Sequence, residues 1–350
     1  MDRRRAWCSS PWAIRCFLLL ALASGCKNPL QVATNNRVVV AMPSNRSQQA
    51  LAAIPVTPRQ GGDERRIAIV DVDGLLVNQA MTGLFSEGEN PVALFREKLD
   101  RIANSQCWAG VVLRINSPGG GVTACDVLRH DLQEFKAHTR LPVIACLMDV
   151  GAGGAYYLAT ATDHIIAHPT SITGGIGVIL NLYNLEDTMG MFNAVGTPIK
   201  AGENIDLGTP ITTQSEASRE ILQRMANEFH DRFRHIVIEA RPRLGTAPPE
   251  VFDGRVFTAH QAMQLGLVDS IGYLDEAAEM VRQMSNAPGA SLVLLHRPSD
   301  GARTPYDVTA NVPMQGSLLP VSVPGIERAR LPTFLYLWQP EPTMEKLSGK

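Results

Sequence analysis

From Arg66 onward the chain alternates short, nearly continuous apolar runs with stretches whose apolar residues recur at helical spacing. Ile67-Ala68-Ile69-Val70-Asp71-Val72 predicts a strand ended by a turn at Asp73-Gly74, where the aspartate pair reads as a strand end and not as a metal site. Pro91 to Ala103 carries Val92, Leu94, Phe95 and Leu99 at helical spacing. Gly110 to Ile115 predicts a second strand, Val122 to His138 a second helix and Val143 to Met148 a third strand. After it come a glycine-dense turn, Asp149 to Gly154, and a small-residue helix through Thr160. His164 to Ala167 reads as a fourth strand with polar histidines at its ends, His164 and His168, and Val178 to Leu180 as a fifth. Gln214 to Arg241 predicts a long helix with Ile221, Leu222, Met225, Phe229, Phe233, Ile236 and Val237 in one stripe toward the core. Thr258 caps a short helix that Gly266 stops, and Asp275 to Met284 reads as the last helix.

Strands that are apolar throughout, separated by helices, imply a mostly parallel sheet covered on both faces: an α/β fold. The 350 residues suffice for one such domain, predicted over 65–286. Before it, 26–64 is rich in Asn, Pro, Gln, Arg and Gly and reads as a disordered, flexible tether. After it, 287–350 reads as an irregular, proline-rich tail whose apolar end, Leu331 to Trp338, is either a strand laid on the domain or a membrane or partner contact.

The N-terminus changes the picture. Arg3-Arg4-Arg5 precedes the apolar run Phe17 to Ala23, which is shorter than the roughly 18 residues of a spanning helix. Small residues then lead directly to Cys26, so 1–25 resembles a bacterial lipoprotein signal peptide. The expectation is an exported chain, lipidated at Cys26 and anchored to a membrane on the periplasmic or outer-membrane side of a bacterial envelope. Cys8 and Cys16 would leave with the signal. Cys107, Cys125 and Cys146 remain, an odd set with no metal-ligand spacing, and Cys146 reads as a buried hydrophobe. No metal or other cofactor is expected. A net charge of −2 and 6% aromatic residues give no nucleic-acid footprint.

Three segments carry candidate chemistry: Ile115-Asn116-Ser117-Pro118-Gly119-Gly120-Gly121, Asp149 to Tyr157, and Pro169 to Val178. Glycines between a strand and a helix let backbone N–H groups face a cleft and hold an oxyanion. In this order and spacing, with Asp253-Gly254-Arg255-Val256-Phe257-Thr258 and Gly266 to Gly272 behind them, the segments resemble the SppA (protease IV) family of signal peptide peptidases. The likeness runs from about Arg66 to Gln283. It implies a ClpP/crotonase-like fold, a ring-forming oligomer and a Ser-Lys dyad in which a desolvated lysine takes the serine proton.

The family's serine sits in a pattern like Asp-Val-Ala-Ala-Ser-Gly-Gly-Tyr-Tyr. Laid without gaps on Asp149 to Tyr157, its position is Gly153. The family's lysine falls on Ile205 in Ile199-Lys200-Ala201-Gly202-Glu203-Asn204-Ile205-Asp206. Both halves of the dyad are replaced. No serine lies between Ser117 and Ser171, and Lys200 would sit about 16 Å from residue 205 along an extended strand, on the opposite face. Ser117, Cys146 and Thr160 are likewise poor substitutes in this register. The resemblance thus implies a pseudopeptidase that binds peptides or signal-peptide remnants through Gly119, Gly120 and Gly154, or scaffolds a homo-oligomer or a mixed assembly with an active paralogue. Two alternatives stand beside it. One is an active serine-type peptidase with a non-family nucleophile, the other a crotonase-like acyl binder.

Overall fold

The computed structural model describes residues 31–33, 37–39, 50–57, 64–80, 88–298, 302–307 and 334–338. The signal region and Cys26 lie outside them, as do most of the tether and tail. Two compact units separate, Met1–Arg46 and Ser47–Lys350. In the first, β1 (Gln31–Ala33) and β2 (Arg37–Val39) form an antiparallel pair inside the stretch read as tether.

The second unit is built on a mixed sheet. Its strands are β3 (Ala52–Pro55), β4 (Arg66–Leu76), β5 (Trp108–Gly121), β6 (Val143–Ala152), β7 (His164–Ala167), β8 (Ile172–Gly174), β9 (Val256–Thr258), β10 (Ser270–Ile271), β11 (Ser291–His296) and β12 (Leu335–Leu337). The main path runs β10-β7-β6-β5-β4-β11-β3, parallel throughout except for β3 at the edge. Beyond β7 the long β6 pairs with β8, which carries β9. The helices are α1 (Pro91–Ala103), α2 (Val122–Thr139), α3 (Gly154–Ala159), α4 (Glu186–Met191), α5 (Glu216–Ala240), α6 (Ala259–Leu265) and α7 (Leu274–Met284).

Alternation along the strands splits the core into two layers. Ala68, Val70, Val111, Leu113, Ala145 and Leu147 face a large layer shared with α1, α2, α3 and the end of α5. Ile67, Ile69, Val112, Ile144 and Cys146 face a smaller layer closed by Ala277, Ala278 and Val281 of α7. Asn90 caps α1, its side chain accepting from the amides of Val92 and Ala93, and Thr258 caps α6 in a capping box with Gln261.

Several expectations need correction. The domain is wider than 65–286, because β3 from the supposed tether and β11 from the supposed tail pair with each other, and β11 with β4. The strand predicted to end at Val72 runs on to Leu76 with a bulge at Asp73–Leu75, so Asp71 is not in a turn. It lies in a buried ion-pair cluster with Lys98 and Arg114, at 3.7 and 2.5 Å, and the His296 ring is 3.6 Å away. Val178–Leu180 is not a strand; Ile179 alone forms a bridge, to Leu335. The stripe on α5 enters the core only at Phe233, Ile236 and Val237, while Met225 stays exposed.

Candidate functional site

The cleft forms where two central strands overrun their helices. β5 does not stop at Ile115 but stays extended through Ser117 to Gly121, the segment read as a glycine loop. Ser117 holds that extension in place: its hydroxyl donates to the Gly74 carbonyl at 2.6 Å and accepts from the Gly119 amide at 3.1 Å. β6 likewise runs to Ala152, steadied by Asn116 Oδ1 accepting from the Val150 amide and by the Thr173 hydroxyl donating to the Gly151 carbonyl. Ser117 therefore has a structural part, and Ser171 is buried.

Gly153 makes the turn from β6 into α3 at φ 54°, ψ −127°. A side chain rarely tolerates that backbone, and hydrolases use such a strained strand-to-helix corner to thrust a nucleophile into a cleft. Its amide donates to the Gly174 carbonyl at 2.9 Å, and its carbonyl accepts from Tyr157 at 3.0 Å. Glycine at this corner offers the cleft no side chain.

Across the cleft lies β12. It runs antiparallel to the β5 extension, with Leu335 opposite Gly121, Tyr336 opposite Gly120 and Leu337 opposite Gly119. The Val122 amide donates to Phe334 O at 3.1 Å and the Trp338 amide to Pro118 O at 3.0 Å. Hydrogen-bonded pairs alternate along an antiparallel ladder, so Gly120 and Tyr336 form the hydrogen-bonded pair between these two. On its other edge Leu335 exchanges two hydrogen bonds with Ile179, at 2.9 and 3.0 Å.

The Tyr336 carbonyl oxygen sits where three glycines converge. A methyl group built on Gly119 would come within 2.0 Å of this oxygen and 2.6 Å of the Gly154 nitrogen, and one on Gly153 within 2.5 Å of the same oxygen. The three glycines thus make a cradle around this peptide carbonyl that leaves no room for side chains. Gly119, Gly153 and Gly154 thus converge on one carbonyl, and Gly120 stands opposite Tyr336 in the ladder.

Ile205 is not. It is 73% exposed, in a turn beyond α4, and Lys200 beside it is tied to Asp206 at 2.8 Å. Among the described residues, the atoms nearest a side chain at Gly153 come from Tyr336 and Pro118, with no amine among them.

Sequence reasoning left out two features. The first is Cys125, on the first turn of α2, whose sulfur a methyl on Gly154 would meet at 2.1 Å. Burial pushes this thiol well above its ordinary range, as it pushes Cys146 up to about 12, so both stay protonated and unreactive. The second is an aromatic pocket around Tyr336, whose ring lies 4.6 Å from Phe233 and 5.3 Å from Tyr157, centroid to centroid. Its hydroxyl donates to the Phe229 carbonyl at 2.8 Å. The Tyr157 hydroxyl donates to Asp126 at 2.6 Å, and Arg232 pairs with the same oxygen at 2.7 Å. Burial works to raise the Asp126 pKa, but these two donors hold it below the usual carboxylate range. Among the described residues no His, Cys, Asp and Glu gather into a metal-binding group.

Comparison with known proteins gives the family of the chain. The model of peptidase family S49 matches residues 136–287. A protein of Methanocaldococcus jannaschii classed by name among the proteases is 30% identical over 211 residues, 60% of this chain and 67% of that one. The chloroplastic serine protease SPPA of Arabidopsis thaliana is 30% identical over 243 residues, and Protease 4 of Haemophilus influenzae 27% over 223. These matches take in 68% and 63% of this chain but only about a third of those longer proteins, 36% and 35%. Among solved structures, a mutant of the 1510-N membrane-bound stomatin-specific protease aligns over 66% of this chain and 98% of its own, with 13% identity and a TM-score of 0.42. By its sequence likeness to these peptidases, the chain belongs to peptidase family S49, that of the SppA signal peptide peptidases.

Proposed function

We propose that this chain is a non-catalytic member of the family, an exported and lipid-anchored protein that binds peptides in extended form without cutting them. What carries the reading is the corner at Gly153: the backbone is set as if to present a nucleophile, yet the residue has no side chain. Ile205 at the lysine position removes the proton acceptor as well. With nucleophile and base both gone, a loss on the order of 10⁶ in kcat is expected, leaving the cradle to hold a carbonyl that nothing attacks. Peptide binding is supported by a strand already seated on the β5 extension, since adding a strand to an open sheet edge is a general mode of peptide capture.

Self-association is supported by the segment from Leu182 to Ile205. Tyr183, Met191, Phe192, Val195, Ile199 and Ile205 are all exposed there, a run of apolar side chains that a second copy could cover. The anchor is supported by the small residues leading to Cys26. Among the described residues no helix is long and apolar enough to cross a membrane.

The test is a fluorophosphonate probe on the purified chain together with a peptide-cleavage assay. No covalent label and intact peptide by mass spectrometry are expected. Labelling that Ser117→Ala or Ser171→Ala abolishes would make the chain a working serine peptidase instead.

A further inference from the structure

We infer that Phe334–Trp338 is the resident ligand of the chain's own cleft, and that the site selects an extended peptide with tyrosine or phenylalanine where Tyr336 sits. The inference rests on the peptide-binding reading above and gives it a ligand class and a competitor.

Three observations carry it. The segment is bonded on both edges, as a strand to the β5 extension and through one isolated bridge to Ile179, so it is not a loose end. Its central carbonyl fills the glycine cradle, the place a bound peptide's carbonyl would take. Its central side chain is fully buried among Phe233, Tyr157 and the Phe229 backbone, and its hydroxyl is satisfied by the Phe229 carbonyl. A smaller side chain would leave that space empty, and a charged one would be buried without a partner. An aromatic ring is the chemistry that fits.

Gly153 belongs to the same arrangement. A side chain there would push on the Tyr336 carbonyl oxygen, so glycine at this corner is also what lets the tail lie flush. Past Leu337 and Trp338 the cleft opens into a cavity of about 390 Å³ with Gln223, Asn227, His230 and Asp253 on its wall, which gives a longer peptide polar contacts beyond the aromatic residue. Because the tail is tethered, its effective concentration at the site is on the order of millimolar. An outside peptide of similar intrinsic affinity must compete with it, and its apparent affinity falls accordingly.

The experiment is fluorescence anisotropy on the full chain with two fluorescein-labelled peptides, Phe-Leu-Tyr-Leu-Trp and Phe-Leu-Ala-Leu-Trp, each extended by two lysines for solubility. Three proteins are compared: the native chain, Tyr336→Asp, and Leu335→Pro, which removes the amide that Ile179 accepts from. The tyrosine peptide should bind both variants at least tenfold more tightly than the native chain. On the variants it should bind at least tenfold more tightly than the alanine peptide. Equal affinity for all three proteins, or no preference between the peptides, overturns the inference. Hydrogen exchange on the native chain gives a check free of any variant: the Leu335 and Trp338 amides should exchange at least a hundredfold slower than in an unstructured peptide, and unprotected amides overturn it too. Mass spectrometry of the recovered peptide separates the two readings. A cut peptide refutes the non-catalytic function and leaves the tail's occupancy standing, whereas an intact peptide that binds every protein alike does the reverse.

Discussion

At the scale of single residues, Gly153 is the position on which most turns. Its φ of 54° with ψ of −127° suits glycine and strains other residues. Gly153→Ser should therefore destabilise the chain by about 1–3 kcal/mol, read from denaturant midpoints, and should restore no fluorophosphonate labelling. Unchanged stability would mean that the corner is not held in this conformation. His164 offers a second test. Burial lowers its pKa below the usual 6.5, against the pull of Asp269 and helped by Arg241, while its ring bonds the Ser270 hydroxyl at 2.9 Å. The unfolded chain thus binds a proton more readily than the folded one, so this contribution to stability is complete above pH 6.5 and is lost as pH falls below it. Urea midpoints at pH 7 and pH 5 should differ more for the native chain than for His164→Gln. The cradle glycines are legible in the sequence because they cluster directly after apolar runs, although only Gly153 stands in a turn and Gly119 and Gly120 stay in the strand. Cys125 and the Tyr336 pocket were not. Cys125 meets Gly154 only because α2 packs over the corner, and Tyr336 meets Phe229 across 107 residues of chain.

At the scale of elements, the sequence located the central strands and helices well and misjudged where strands stop. β5 was read as ending at Ile115 because Asn-Ser-Pro-Gly-Gly-Gly looks like a loop; partners on both sides, β4 and β12, keep it extended. The edge strand β3 and its inner neighbour β11 are hidden in segments whose composition reads as tether and tail, since pairing across more than 230 residues leaves no local signal. The far half of α5 was read as core from its apolar stripe, yet only its last turns reach the sheet. The caps were plain, because a cap is local chemistry. Asn90→Ala and Thr258→Ala should each cost about 0.5–2 kcal/mol, measured by thermal denaturation, since each strips accepting oxygens from the first amides of α1 or α6. A change of a few tenths at both sites would show that these helix starts are held by packing alone.

At the scale of the whole molecule, the two proposals that reach beyond the domain have separate readouts. If the lipid anchor is as proposed, Cys26→Ser should move the protein from the membrane fraction to the soluble fraction, and mass spectrometry should find acyl chains on the native mature terminus only. If the segment from Leu182 to Ile205 joins copies of the chain, Phe192→Asp with Ile199→Asp should lower the sedimentation mass without lowering the melting temperature, because neither side chain supports the core.

The seating of β12 has one more consequence. By closing both the β5 extension and Ile179, it leaves no unpaired backbone along that stretch of sheet. A chain shortened to end before Phe334 would bare the edge of the β5 extension and the backbone of Ile179, the kind of surface that templates clumping between molecules. Light scattering of such a truncation should rise with concentration where that of the intact chain stays flat, and Phe334–Trp338 would then be guardians of solubility.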